Sequence, residues 1–235
     1  MFTGNVDAAS RVVRPRLQAT QAEKRYGRAL EALASNVGKL AEQVDPDDLP
    51  RMMQAYADAL RPWATRVATK MVAEVDARNV AALSKLDVSS RLRRDLRDVD
   101  VDFAGLQLIE RQVEFILDIP RRAAERASED YDPVAAARSS ARRVARLAVS
   151  EASTVLTKAR ATSVGSTHYV WRTARDSKVR ESHRRMEGAV CEWANPPAVP
   201  GEGNHHAGEI WGCRCRAEPI INDPYAPAVR GKRRR

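Results

Sequence analysis

The sequence predicts a mainly α chain: a helical N-terminal region and a long helical stem, followed by a small α+β C-terminal unit. Three observations lead there. Apolar residues recur at helical spacing along most of the first 163 positions. The apolar mass is Ala, Val and Leu, with aromatics at only 5%, which suits helices packed through small side chains. At His168 the texture changes to a short run of aromatic and β-branched residues, His168 to Thr173, that reads as a strand.

The elements follow in order. Residues 15–44 read as one amphipathic helix, because Tyr26, Leu30, Leu33, Val37, Leu40 and Val44 step by four and three; Asp45-Pro46 stops it. After Leu49-Pro50, a face of Met53, Tyr56, Leu60, Trp63, Val67, Met71 and Val75 predicts a second helix to about Leu86, kinked or split at Pro62. Asp87 to Ser90 reads as a loop with a cap, and Arg91 to Asp102 as a short charged segment. Phe103, Leu106, Ile109, Val113 and Ile116 mark another helix, ended at Pro120. Asp132-Pro133 supplies a capping Asp and a first-turn proline, and no breaker follows until Gly165. Asp176 is placed to cap a short helix to about Met186, with Gly188 ending it; Asn195 to Gly203 is a loop and Cys213 to Ile221 a second strand. The organisation expected is therefore residues 1–132 as helical region, 133–166 as basic stem, 167–222 as α+β core and 223–235 as a basic, disordered tail.

The chain has 235 residues, a net charge of +9 and a pI near 9.9. That excess implies affinity for a polyanion. It is concentrated at Arg121-Arg122, Arg138 to Arg146, Arg172 to Arg185, and Arg230 to Arg235. Arg138, Arg142, Arg143 and Arg146 on the stem, with Arg230, Lys232, Arg233, Arg234 and Arg235 in the tail, suit phosphate contacts to double-stranded DNA without base reading. A solvated helix face is the plain alternative for the stem arginines. No helix-turn-helix or zinc-finger pattern is present, and the four tryptophans read as core rather than stacking platforms. No apolar run is long enough to cross a bilayer, and no basic-then-apolar leader opens the chain, so no membrane partner is expected and a soluble intracellular product is. Three cysteines are too few for a disulfide scaffold.

Residues able to do chemistry are gathered between Tyr169 and Arg216. A helix from 176 to 186 would put Asp176, Arg180 and His183 on one face, and a strand would put Cys213 and Cys215 on one face. Packed together, His183, Cys213 and Cys215, completed by Asp176 or by His205 or His206, make a ligand set for a structural zinc. The alternative is a capping Asp, a packed His and two small buried thiols. A Cys-His-Asp catalytic reading lacks an oxyanion-hole or glycine-elbow pattern, and a metal nuclease would want more carboxylates. No catalytic residue is therefore assigned, and the chain is not expected to be an enzyme.

The same residues carry a resemblance. Ser150-Glu151 on the stem, Trp171-Arg-Thr173, Asp176, Val179-Arg180, His183, Gly188, a proline-rich loop and Cys213-Arg-Cys215 resemble, over roughly residues 135–220, the phage Mu F-like head morphogenesis family. Some relatives of this kind carry cysteines at the places of Arg180 and His183, and Gly212 stands where Asn is usual. The resemblance implies a minor capsid protein of a tailed phage, made in the bacterial cytoplasm and carried in the virion head near the portal vertex. Its implied partners are the portal protein, the major capsid or scaffold protein, and packaged DNA. Its implied role is in head assembly and in DNA packaging or ejection. A host-derived nonspecific DNA-binding protein and a small metal-dependent hydrolase are the rival readings.

Overall fold

A computed structural model describes residues 11–12, 21–86, 88–126, 133–210 and 212–225, and side chains at most of these positions. The helix start expected at 15–20, the capping Asp132, Asp87, Trp211 and the tail from 226 onward lie outside the described residues. The chain opens with β1 (Arg11–Val12), then α1 (Gln21–Ala41), α2 (Leu49–Leu83), α3 (Ser90–Arg97), α4 (Asp102–Arg126) and α5 (Pro133–Ser163).

The helical region packs through the seams that the spacing marks. Tyr26, Leu30, Leu33 and Val37 of α1 meet Met53, Ala57, Ala64, Ala68, Met71 and Val75 of α2, Val113, Ile116 and Leu117 of α4, and Ala145, Ala148, Ala152 and Leu156 of α5 in one core. Small residues set the spacing. A Cβ on Gly27 would stand 3.6 Å from the Ala145 Cβ, so α1 and α5 approach closely there. Tyr26 carries its hydroxyl into this core and donates to Gln112 Oε1 at 3.2 Å. Burial raises the Tyr26 pKa and keeps the phenol neutral.

Two helices run through their prolines. Pro62 lies inside α2 without splitting it, and Pro120 does not end α4, which continues to Arg126. A proline removes one rung of the helical ladder. At Pro120 that loss is outweighed by burial on both sides of it, of Ile116, Leu117 and Ala123. The charged segment from Arg91 is itself a helix, α3, because Ser89 accepts the Leu92 N–H and caps it while Leu92 and Leu96 are buried.

The C-terminal unit adds β2 (His168–Arg172), the single turn α6 (Glu181–Arg184), β3 (Val190–Glu192), the small hairpin β4 (Ala198–Val199) with β5 (Gly203–Asn204), and β6 (Arg216–Ile221). The main sheet has the order β1-β6-β2-β3 with every neighbouring pair antiparallel. Tyr169 pairs with Pro219 and Trp171 with Ala217, so Tyr169, Trp171 and Ala217 share a face. That face covers a second core of Trp193, Cys191, Val199, Ala207, Cys213 and Cys215, which Ala161 of α5 also joins.

Three expectations are corrected here. Asp176 does not cap a helix to residue 186. It accepts the Lys178 N–H in a tight turn, and α6 begins only at Glu181. The last strand starts at Arg216, so both cysteines precede it. Residues 223–225 are not a loose tail: Asp223 accepts from the Ser89 N–H and hydroxyl, and the Arg91 guanidinium lies 4.4 Å from the Tyr225 ring centre. The carboxylate of Asp223 thus meets the electropositive start of α3.

Candidate functional site

The buried centre of the C-terminal unit brings together His183 from α6, His205 and His206 from the segment after β5, and Cys213 and Cys215 from the segment before β6. Backbone geometry sets this up. Trp171 on β2 faces inward opposite Ala217, and two residues earlier along the same face of the chain stands Cys215. The ring of Trp171 lies edge-on to His183, with centroids 5.5 Å apart, and 5.7 Å from His205. His183 Nδ1 is 3.4 Å from the sulfurs of both Cys213 and Cys215. The Cys215 N–H donates to Cys213 Sγ at 3.3 Å.

The electrostatics favour one thiolate. Hydrogen bonds from Cys215 and then from His183 push the Cys213 thiol down, against burial. The Cys215 thiol is pushed up, first by its bond to Cys213 and then by burial. The bond to Cys213 raises the His183 imidazole. On its other side His183 Nε2 stands 3.3 Å from Glu202 Oε2, an ion-pair distance without hydrogen-bond alignment. Glu202 is itself held by Arg180 at 2.6 Å and by the Ser182 hydroxyl.

The two neighbouring histidines differ. His206 is engaged at both ring nitrogens, by the Tyr169 hydroxyl at 3.1 Å and by Lys158 Nζ at 3.2 Å. His205 Nδ1 meets the His206 carbonyl at 3.1 Å, while its Nε2 is buried without a partner. His183, Cys213 and Cys215 are therefore brought together as the residue pattern suggests. Asp176 stands apart from them: it is exposed and takes the Arg214 guanidinium at 2.6 Å. That guanidinium, followed by the Lys178 N–H, holds its carboxyl below the usual range against desolvation.

A loop latch frames the site. Glu187 accepts the Thr173 N–H and hydroxyl, each at 2.7 Å, and the Arg175 guanidinium at 2.8 Å. Burial raises its pKa, but the Thr173 and Arg175 bonds outweigh that and hold it at about 2. Against α5, Gly208 is in the left-handed region, at φ +90°, and a Cβ there would meet Thr154 Oγ1 at 2.8 Å, Ser150 Oγ at 2.9 Å and the Cys215 carbonyl at 3.0 Å. Ser150 and Thr154 are thus a seat for the loop. The next residue, Glu151, is buried and bonded to Arg111 of α4. A cleft of about 340 Å³ opens between α1, α2, α5 and this unit, with Cys213, Cys215, Ser150 and Arg214 in its wall.

The basic residues divide. Every arginine from Arg172 to Arg185 has a carboxylate partner: Arg172 takes Glu218 and Glu187, Arg175 takes Glu187, Arg180 takes Glu202, and Arg184 and Arg185 take Glu181. The local surplus expected there is spent within the unit. Arg146 is half-exposed and reaches Glu23 of α1 at 3.2 Å. Arg138, Arg142 and Arg143 lie on α5, but their side chains, and all of Arg230, Lys232, Arg233, Arg234 and Arg235, are outside the described residues. The sequence reading missed His205 as distinct from His206, and it missed the Glu202 and Glu187 partners; only the His205-His206 doublet was a visible signal.

Comparison with known proteins places these features. Residues 105–218 match the family described as Phage Mu protein F like protein, from within α4 through α5 to β6. A Haemophilus influenzae (strain Rd) protein described as "Uncharacterized protein" is 38% identical over 80 residues, which is 34% of this chain and 17% of the relative. The chain thus spans about a sixth of the length of the curated relative it matches. No solved structure matches it significantly. From residue 105 to residue 218, the stretch that holds the latch, the seat on α5 and the buried histidine–cysteine centre, the chain is similar to the Phage Mu F-like family.

Proposed function

We propose that this protein is a minor capsid protein of a tailed phage or prophage, seated at the portal end of the head and touching packaged DNA. The single observation that supports this is the family match over residues 105–218. The family suggests a phage head component and a structural rather than enzymatic role. The cluster geometry agrees with such a role: the Asp, His and Cys residues are either buried against one another or tied to arginines.

In this reading the helices before residue 105 dock on portal, capsid or scaffold, and the C-terminal unit is the shared structural core. The chain's net charge is +9, and in this reading the stem arginines and the terminal basic run meet DNA phosphates and assist packaging or ejection. The reading is tested on particles. The chain is expected to remain with density-purified phage heads in a few copies, and its deletion is expected to leave heads that assemble or deliver DNA poorly. Recovery of the chain with host chromosomal DNA and its absence from purified heads would favour a host DNA-binding protein instead.

A further inference from the structure

We infer that His183, Cys213, Cys215 and His205 hold one tetrahedral zinc ion that staples the C-terminal unit. The inference is independent of the head role proposed above. Its first support is spacing. In a tetrahedral site with ordinary Zn–N and Zn–S bonds, a ligating nitrogen and sulfur stand about 3.6 Å apart. His183 Nδ1 stands 3.4 Å from each of two sulfurs. The three ligand atoms lie within 4.8 Å of one another, all on buried side chains.

The second support is how each ring is oriented. A metal-binding histidine usually gives its other N–H to a carboxylate or carbonyl, which sets the tautomer. His183 turns Nδ1 to the thiols, and its Nε2 stands 3.3 Å from Glu202 Oε2 without a hydrogen bond, so a small ring rotation would complete that pattern. His205 presents Nδ1 to the His206 carbonyl, which leaves the Nε2 lone pair buried and without a partner. An orphaned buried acceptor is costly unless something takes it. A ring nitrogen of His205 lies within 4.8 Å of ligand atoms of His183 and Glu202, in a group apart from the two sulfurs, so the His205 side chain must move toward Cys213 and Cys215 to take the fourth corner. His206 is excluded because Tyr169 and Lys158 occupy both its nitrogens, and Glu202 because Arg180 and Ser182 engage it.

A donor also stands beside each sulfur. The Cys215 N–H points at Cys213 Sγ, and the Trp171 indole N–H is buried beside Cys215 without an oxygen partner. Two sulfurs and two nitrogens select zinc over the hard cations magnesium and calcium. The unit has reason to need it: β3, β4 and β5 are two or three residues long, so little ladder holds the chain between Thr173 and Arg216. The cleft beside Cys213 and Cys215 gives the ion a route in.

The test is metal content of the full-length chain, followed by cobalt substitution. About one zinc per chain is expected. Cobalt should give sulfur-to-metal charge-transfer absorption and the strong visible bands of a tetrahedral site. Cys213→Ser and Cys215→Ser should each abolish stoichiometric zinc; where these variants fold poorly, the cobalt spectrum of the unaltered protein carries the test. His205→Gln should weaken zinc by roughly 100-fold or more in a chelator competition, beyond what loss of an outer-shell partner costs, whereas Asp176→Asn should leave it unchanged. A folded, zinc-free protein whose melting ignores both added zinc and chelator would overturn the site. Unchanged affinity in His205→Gln would overturn the fourth ligand. Neither result depends on whether the chain is found in phage heads.

Discussion

At the residue scale, Glu187 shows how a polar motif can be structural. Its carboxylate closes the excursion between Thr173 and Gly188 by taking bonds from Thr173 and Arg175. Its folded pKa is about 2, below the 4.5 of an unperturbed carboxyl. The unfolded chain therefore binds more protons between those values, and stability rises with pH there. The contribution is fully present above pH 4.5 and is lost as pH falls through about 2. Glu187→Gln should cost about 1–3 kcal/mol at neutral pH. The gap between variant and native melting curves should close on acidification toward that folded value. A gap of constant size from neutral pH to acid would mean the carboxylate charge is not what holds the latch.

At the element scale, Arg160 fastens three helices. Its guanidinium lies on α5, is 4% exposed, and pairs with Asp76 of α2 at 2.8 Å. The same group donates to the carbonyls of Leu96 and Arg97, at 2.9 and 2.8 Å, and so satisfies the C-terminal end of α3 from a distant helix. Removing one partner of such a pair strands the other and opens the α3 carbonyls. Arg160→Ala should cost about 3–5 kcal/mol. Arg160→Lys should recover little, because an ammonium cannot span a carboxylate and two carbonyls as a planar fork does. Denaturant midpoints of the two variants compare these directly; a lysine variant as stable as the native chain would show that charge alone suffices.

At the scale of the whole molecule, α5 joins two cores. Ala145, Ala152 and Leu156 belong to the helical core, and Ala161, one to two turns on, belongs to the sheet core. A third cluster of Leu83, Leu92, Leu96 and Ile221 ties the end of β6 back to α2 and α3. Charge is distributed unevenly over this frame. The arginines of the C-terminal unit are paired, so in the proposed reading the DNA contacts fall to the stem and to the residues beyond 225. Truncation before residue 226 removes Arg230, Lys232, Arg233, Arg234 and Arg235. If all five meet phosphates, it should lower the magnitude of the slope of log affinity for duplex DNA against log salt by about 4.5. An unchanged slope would take the tail out of the interface.

Much of this protein was legible along the chain because the signals were local. The helical seams, the Gly165 stop, the strand at Tyr169 and Trp171 and the ordered family residues all rest on spacing within one element. The extent of α4 was not, because Pro120 is a local breaker that long-range packing of Ile116 and Leu117 overrules. Nor was the fate of the basic cluster from Arg172 to Arg185, whose partners Glu187, Glu202 and Glu218 come near only when the sheet forms. The sequence by itself determined a helical frame with a small α+β unit and the grouping of His183, Cys213 and Cys215. Only the tertiary structure removed Asp176 to an arginine at the surface and brought His205 to the centre. The physical reason is that ligand geometry and ion pairing depend on which segments meet across the sheet and its loops, and side-chain spacing along the chain does not encode that.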